Sequence, residues 1–231
     1  MSTPKYRLVY FDVRALGEPI RWLFNYAGVE FVDERIPWDY PTWFAKTKQN
    51  YFSTVGQVPV LYEDGKPELG QSQAISRYLA KQFNLTGDNI REDAKLDEII
   101  SQVFDLFIWW RMYLIFEKDP ERKKANRMLV DGRLSAAYTT WNRVLVESQG
   151  PYILGNKLTH ADFWLAHFVS VFDDPMEGDE PIMPPGYPRP NESDLYVGFS
   201  NGFPALKAHK ERIHALPEIK AWIEKRHKTI A

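Results

Sequence analysis

Cysteine is absent from this chain of 231 residues. The protein therefore has no disulfide, no cysteine-ligated zinc site and no thiol nucleophile of its own. Charge of one sign is not in excess either, since the net charge is -2 and the pI is about 6.2. That balance gives no electrostatic reason to expect binding to nucleic acid or to an anionic membrane. No uninterrupted apolar run of about 18 residues and no apolar signal-peptide core are present, so we expect a cytoplasmic protein.

Motifs for several common chemistries are also missing. The histidines form no metal-binding spacing such as H-E-x-x-H, and there is neither a Walker loop nor a G-x-G-x-x-G fingerprint. Residues 198–202 match the G-x-S-x-G pattern of serine hydrolases. That pattern requires a buried strand before the serine, whereas a proline-rich stretch precedes it here. We therefore expect no metal, no nucleotide and no serine-hydrolase site.

The first third of the chain predicts a thioredoxin-like α/β domain over residues 4–83. Alternating apolar and polar residues indicate strands at Tyr6–Tyr10 and Phe31–Ile36. Helical spacing of apolar residues indicates a helix at Glu18–Gly28 between them. The remaining predicted elements are a loose helix at Pro41–Asn50, a strand at Val58–Tyr62, a turn at Glu63–Gly65 with a short strand after it, and a helix from Ser72. Many proteins of this fold use their own cysteine, so any thiol here must arrive with the substrate.

The rest of the chain predicts an all-helical domain. Residues 84–92 are polar and aperiodic, which is typical of a linker. Apolar residues at helical spacing then recur through residues 93–231. Thr159–Asp162 resembles a helix capping box, with Asp in the place of the usual Glu. An insertion at about residues 173–202 contains six prolines, a density that excludes regular helix or strand and predicts a long loop.

Six segments resemble sigma-class glutathione transferases. The resemblance covers nearly the whole chain outside the proline-rich insertion, and the segments occur in the same order as in the family. They are Tyr6–Arg14, Gly17–Arg21, Gly56–Leu61, Gln71–Leu79, Leu158–Phe163 and Leu216–Trp222. The resemblance implies a thioredoxin-like domain followed by an all-α domain, with glutathione as the co-substrate.

Tyr10 is the expected catalytic residue. A free thiol titrates near pH 8.5, and a hydroxyl that donates a hydrogen bond to the sulfur stabilises the thiolate and lowers that pKa. A tyrosine at the end of a strand can do this, and the family's tyrosine matches Tyr10. Tyr6 is a rival by residue type, but it stands at the start of the same strand, on the far side of the domain.

The resemblance also implies residues that bind the body of glutathione. Arg14 matches a position beside the sulfur. We expect Ser72 to cap the third helix, whose start can bind the γ-glutamyl carboxylate, with Gln71 as its companion. Val58 can pair with the cysteinyl backbone of glutathione, because a residue before proline is held extended. The resemblance alone implies a cis bond at Pro59.

The resemblance also implies partners for the glycyl end of glutathione. Trp43 and a nearby lysine match the family's residues, although the spacing from Trp43 to Gln57 is a few residues longer here. The lysine is Lys48 or Lys46, and Trp38 is an alternative to Trp43. Gln57 stands where a lysine is common in the family.

One polar stripe of the second domain suggests an assembly. Asp97, Ser101 and Asp105 recur every four residues on an otherwise apolar helix. They form either a solvated face or, as the resemblance implies for Asp105, a contact with the glutathione of a neighbouring subunit. The second interpretation makes the protein a homodimer.

The acceptor site is expected at four aromatic residues, which match positions that line this site in the family or lie near it. They are Phe11, Trp109, Trp110 and Tyr113. Such residues favour hydrophobic electrophiles, but they are equally good core residues. The leading hypothesis is conjugation of glutathione to such electrophiles. Isomerisation of a prostaglandin endoperoxide, reduction of a lipid hydroperoxide, and a non-catalytic crystallin-like or glutathione-binding protein remain alternatives.

Overall fold

The computed structural model describes residues 6–51, 53–173 and 195–229, and only the backbone of residues 40, 46, 47 and 49. Most of the proline-rich insertion therefore lies outside the described residues. Close contacts divide the described chain into two compact units. The first contains residues 6–85 and 216–229, and the second contains residues 86–173 and 195–215.

A four-stranded mixed sheet forms the centre of the first unit. The strands are β1 (Tyr6–Phe11), β2 (Phe31–Ile36), β3 (Val60–Glu63) and β4 (Leu69–Gly70), and their order in the sheet is β2-β1-β3-β4. β1 runs parallel to β2 and antiparallel to β3. Because β1 is paired on both sides, its backbone is held by hydrogen bonds along both edges.

Helices of the first unit follow the predicted order. Within residues 6–85 they are α1 (Glu18–Tyr26), the short α2 (Tyr40–Thr42) with irregular turns to Asn50, and α3 (Ser72–Gln82). Ile20, Leu23 and Phe24 of α1 are fully buried, as their shared helical face predicts. Gly28 lies just beyond α1 with a φ of +63°, a conformation that glycine adopts without strain. The predicted βαβαββα order and thioredoxin-like fold are confirmed.

The last helix, α8 (Pro217–Lys225), packs on α1 in the first unit. Trp222 Nε1 donates to Glu18 at 2.8 Å, and Arg226 also donates to the same carboxylate. Residues of the C-terminal tenth of the chain therefore complete the packing of α1. The division at residues 84–92 stays a prediction as a domain boundary, and the next helix, α4 (Ile90–Arg111), begins within that segment, with Asn89 as its N-cap.

The second unit is a bundle of long helices. They are α4 (Ile90–Arg111), which continues as a wider turn to Phe116, α5 (Pro120–Glu147), α6 (His160–Asp173) and α7 (Pro204–His214). Almost every side chain of α6 is buried, so α6 is the central helix of the unit. Ile90–Phe116 is long and apolar enough to cross a membrane by length and composition, but half of that window is buried inside the protein, as in the core helix of a helical bundle.

The predicted capping box lies at the start of α6. Asp162 accepts hydrogen bonds from the backbone N–H of Thr159 at 2.8 Å and from the Thr159 hydroxyl at 2.9 Å. The same carboxylate accepts from Ile153 N at 2.9 Å and lies 2.9 Å from His209 Nε2. Asp162 thus makes the capping contact that glutamate usually makes, and through His209 it also links α7 to α6.

Ser200, the serine of the G-x-S-x-G match, is a structural residue. It lies in a short 3-10 helix, Phe199–Gly202, and only 1% of it is exposed. Its hydroxyl donates to Asp173, and Lys210 Nζ donates to that hydroxyl at 3.1 Å. The buried strand that a nucleophile elbow needs does not precede it within the described residues 195–199.

Candidate functional site

Tyr10 lies one residue before the end of β1, and 6% of it is exposed. Its rival Tyr6 lies at the other end of the strand, roughly 13 Å away at about 3.3 Å per residue. The Tyr6 ring packs on Phe24 at 5.2 Å between centroids. Burial, together with the neighbouring Glu63, raises the pKa of Tyr6. Tyr6 therefore packs into the core beside Glu63, whereas Tyr10, which is also buried, lies one residue past the end of the β1–β3 pairing.

Arg21 supports the backbone that follows Tyr10. Its guanidinium donates to the carbonyl of Val13 at 2.8 Å and to that of Phe11 at 3.4 Å. The same side chain is fully buried and pairs with Asp33 at 3.0 Å. Its Cζ lies 5.9 Å from the centroid of the Tyr10 ring. Arg21 belongs to the segment Gly17–Arg21, but the sequence gives it no role, because the partners of a buried guanidinium depend on the tertiary fold.

A cis peptide bond joins Val58 to Pro59, as the resemblance implies. Val9 pairs with Val60 in the antiparallel register of β1 and β3. Continuing that register by one residue puts Pro59 opposite Tyr10. The cis-proline segment and the end of β1 therefore meet at the same edge of the sheet.

Gln71 follows directly after β4 and has a φ of +68°, which is unusual for a residue other than glycine. Its side-chain amide donates to Gln57 Oε1 at 3.0 Å. Gly70 pairs with Val60, so Gln71 lies at the same edge as the cis-proline. Two of the predicted glutathione residues are thus in direct contact, and backbone strain accompanies them, as is common at binding sites.

The predicted capping role of Ser72 is wrong. Ser72 is the first residue of α3, and Gln71 is the N-cap, without a capping hydrogen bond from its side chain. The carbonyl of Gln71 accepts the first helical bond, from Ile75 N at 2.9 Å. The unusual backbone conformation of Gln71, which no propensity rule anticipates, moves the cap back by one residue. Ser72 is still buried at the helix start, where backbone N–H groups favour an anion.

Arg14 and Trp43, two further predicted residues, are buried in the first unit. Arg14, 3% exposed, precedes the 3-10 turn that leads into α1. The ring centroid of Trp43 lies 5.3 Å from that of Phe11 and 6.2 Å from that of Tyr51. The alternative, Trp38, is also buried.

Lys48 is half-buried near Gly56, where an added Cβ would lie 3.8 Å from Lys48 Nζ. Lys48 therefore lies close to the loop that leads to the cis-proline. The side chain of the alternative, Lys46, lies outside the described residues.

Tyr51 is a supporting residue that the sequence analysis missed. Its ring stacks on Trp43, and its hydroxyl donates to Glu34 at 2.7 Å. Burial and the hydrogen bond to Glu34 raise the pKa of Tyr51 to about 12. A tyrosine in an irregular segment offers no periodicity, so only its contacts reveal the role.

The predicted acceptor residues of the second unit differ widely in exposure. Trp109 is 39% exposed, and Arg133 lies 4.6 Å from its ring centroid. Trp110 is fully buried and packs against Phe107 and Phe172.

Tyr113, which is 1% exposed, accepts a hydrogen bond from Arg127 at 3.1 Å. Of the polar stripe, Asp105 and Ser101 are exposed and Asp97 is half-buried. Phe11 belongs to the first unit, where 8% of it is exposed.

Comparisons with known proteins cover both units. The model of the glutathione S-transferase N-terminal domain matches residues 7–81, and that of the C-terminal domain matches residues 105–226. Glutathione S-transferase 1 of Ascaris suum is 33% identical, over 98% of this chain and 98% of its own length. The solved structure of prostaglandin synthase D of Nilaparvata lugens is 30% identical, with a TM-score of 0.77 over 96% of this chain and 98% of that one. A Nu-class enzyme structure from Haemonchus contortus is 30% identical, with a TM-score of 0.72 over 97% and 98%.

Proposed function

The chain belongs to the glutathione S-transferase family, and we propose that Tyr10 activates the thiol with which it conjugates hydrophobic electrophiles. As a member of this family the protein is an enzyme that uses glutathione as its co-substrate. The observation that supports the role of Tyr10 is its position at the end of β1, beside the cis-Pro59 segment and the start of α3.

The chemistry follows from the positions of these groups. The N–H groups at the start of α3, at Ser72, attract the γ-glutamyl carboxylate. The backbone of Val58 pairs with the cysteinyl part, and Gln71 and Gln57 border the same edge. The sulfur then lies at the hydroxyl of Tyr10, which donates a hydrogen bond to the thiolate and lowers the thiol pKa. The thiol proton leaves to solvent, and the thiolate forms a C–S bond either by adding to the electrophile, which then takes up a proton, or by displacing its leaving group.

At the two ends of glutathione, further side chains add to this arrangement. Arg14, buried next to the end of β1, contributes positive charge near the sulfur. Trp43 and Lys48 hold the glycyl carboxylate.

Replacing Tyr10 by phenylalanine tests the proposal, because it removes only the hydroxyl. We expect kcat/KM for a chromogenic electrophile to fall about 100-fold. The thiol pKa of bound glutathione should rise towards that of the free thiol, and the glutathione Kd should change little. Tyr6→Phe, at the other end of the same strand, is the matched control and should leave the thiol pKa unchanged. An unchanged thiol pKa in Tyr10→Phe would refute the role.

We further propose a homodimer in which Asp105 of one subunit reaches glutathione in the other. The exposure of Asp105 on α4 leaves it available for such a contact. Asp105→Asn should weaken glutathione binding without changing the mass measured by analytical ultracentrifugation, whereas Asp97→Asn should affect binding less. A monomer in solution, or normal glutathione affinity in Asp105→Asn, would exclude this arrangement.

A prostaglandin endoperoxide is a second candidate substrate, within a sigma-class assignment. The similarity to the Nilaparvata lugens prostaglandin synthase D supports it, while the similarity to a Nu-class enzyme supports a different class. Product analysis after incubation with the endoperoxide and glutathione distinguishes isomerisation of the endoperoxide from conjugation of glutathione. Formation of a single isomer in proportion to enzyme favours the isomerase, and formation of glutathione conjugates alone favours the transferase. In either case we propose a cytoplasmic enzyme that needs no metal.

A further inference from the structure

We propose that Gly17 is a positioning residue for Tyr10, because only a residue without a side chain lets the Tyr10 ring lie where it does. The inference rests on the proposed role of Tyr10. Gly17 ends the short 3-10 turn Ala15–Gly17 and immediately precedes α1. It therefore approaches the end of β1 from the loop that connects β1 to α1.

The contact is unusually close. A Cβ atom added to Gly17 would lie 2.4 Å from Cδ1, 3.0 Å from Cγ and 3.2 Å from Cε1 of the Tyr10 ring. Carbon atoms that are not bonded prefer separations of about 3.5 to 4.0 Å. All three nearest atoms belong to Tyr10, so the ring of this one residue occupies the space that a side chain would need.

Backbone conformation does not explain the glycine. Gly17 has a φ of −83° and a ψ of −26°, which lie in the right-handed helical region open to every residue. Alanine would adopt the same angles without strain. Close approach of the Tyr10 ring is therefore the reason for glycine at this position.

Neither backbone can easily yield to an added methyl group. Tyr10 lies on β1, which is paired with β2 along its whole length and with β3 at its start. Beyond Gly17, α1 is held by Glu18 N, which donates to Arg14 O at 3.0 Å, and by the buried Arg21, which donates to Val13 O. The Tyr10 ring must therefore rotate or tilt, which moves its hydroxyl away from the sulfur.

Small displacements of this kind have large consequences for catalysis. Moving Cδ1 to an ordinary contact distance requires a shift of about 1 Å. A misplacement of about 1 Å can cost roughly 100-fold in rate. Val58, Gln71 and Ser72, which bind the body of glutathione, lie in the loop before β3 and at the start of α3, so their contacts should survive the substitution. The expected signature is thus a loss of thiol activation with little loss of binding.

Gly17→Ala is the direct test. We expect kcat/KM to fall between about 10- and 100-fold, with the thiol pKa of bound glutathione raised and the glutathione Kd within about threefold of wild type. The thiol pKa is read from the pH dependence of thiolate absorbance in the enzyme complex. Gly132→Ala, on α5, is the matched control, because an added Cβ there meets nothing within 4 Å. It should leave turnover and thiol pKa unchanged.

A double-mutant cycle with Tyr10→Phe separates positioning from a general structural role. If Gly17 acts through the Tyr10 hydroxyl, Gly17→Ala costs little further activity once that hydroxyl is gone. An equal loss in both backgrounds, or a wild-type thiol pKa in Gly17→Ala, overturns the inference. A Tyr10→Phe variant with full activity instead refutes the proposed function, so the two failures are distinguishable.

The inference stays testable if Gly17→Ala folds poorly. Circular dichroism and denaturant unfolding then compare Gly17→Ala in the wild-type and Tyr10→Ala backgrounds. Removal of the ring should abolish the destabilisation caused by Gly17→Ala. The same destabilisation without the ring would show that the clash lies elsewhere and would overturn the inference.

Discussion

The two units hold their predicted site residues in different ways. In the first unit, strand register brings Tyr10, Pro59 and Gln71 to one edge of the sheet, and buried polar contacts support that edge. In the second unit, Trp109 and Trp110 are neighbours in sequence on one helix, yet one is exposed and the other is fully buried. Strand register therefore places several residues of the first unit together. On a helix, by contrast, the position of each residue decides separately whether its side chain is exposed or buried.

The largest effect that follows from this comparison concerns Glu18, a buried residue at the start of α1 in the first unit. Its carboxylate accepts from Arg21 at 3.2 Å, from Trp22 at 3.2 Å, and from Trp222 and Arg226. Glu18→Ala leaves two buried guanidinium groups without this partner and should lower the free energy of unfolding by about 3 to 5 kcal/mol, measured by urea denaturation.

An exposed ion pair of the second unit is the control for Glu18. Glu147 contacts Arg143 at 3.4 Å with both side chains more than half exposed. Glu147→Ala should cost less than about 0.5 kcal/mol. Comparable losses of stability in the two variants would mean that burial does not strengthen the hydrogen-bond network around Glu18.

The strained backbone of Gln71 gives the next largest effect. Gln71→Ala and Gln71→Gly both remove the contact with Gln57, so both should weaken glutathione binding equally. Only glycine relieves the positive φ, which should make Gln71→Gly more stable than Gln71→Ala by about 1 kcal/mol. Calorimetric titration and urea denaturation measure the two quantities. Equal stabilities would show that the conformation of Gln71 is not strained.

Trp109 tests the other side of the comparison. If it lines the acceptor site, Trp109→Ala should raise the KM for a hydrophobic electrophile about fivefold, roughly 1 kcal/mol of lost binding, and leave the KM for glutathione unchanged. Steady-state kinetics with each substrate varied in turn gives both values. Met128→Ala, another exposed apolar residue of the same unit, should change neither. An equal rise in both KM values would argue against a separate acceptor site at Trp109.

The smallest expected effect is the pH dependence contributed by Asp12, two residues after Tyr10. Burial alone raises its pKa, but hydrogen bonds from Arg35 and His227 outweigh burial and lower it below 3.8. A lowered folded-state pKa stabilises the protein above the unfolded-state pKa, and this stabilisation is lost as the pH falls.

The variant Asp12→Asn has no ionisable carboxyl group at this position and therefore lacks this pH-dependent stabilisation. Wild type should exceed the variant in stability by about 0.5 kcal/mol at neutral pH, and the difference should shrink as the pH falls through the lowered pKa of Asp12. Urea denaturation at several pH values measures the difference. A gap that does not narrow on acidification would contradict the ion-pair explanation.

How far the sequence predicted the structure depended on the kind of signal. Strands and helices with clear periodicity, such as β1 and α1, lie within a few residues of their predicted ends. Asp162 was also predictable, because a capping box is a local pattern. Arg21, Tyr51 and Gly17 were not assigned, since their partners are 7 to 17 residues away in the sequence and on different elements. The cap of α3 was misassigned because propensity favours Ser72 and takes no account of the unusual φ at Gln71.

The sequence by itself determined the order of elements and the absence of any protein thiol, and it favoured Tyr10 over Tyr6, because periodicity, composition and motif order can be read without the fold. Only the tertiary structure decided which side chains support that tyrosine, and which of two adjacent tryptophans is core. Those outcomes depend on strand register and on space between elements. The Tyr10 ring comes so close to Gly17 that an added Cβ would lie 2.4 Å from it, and this contact exists only in the folded chain.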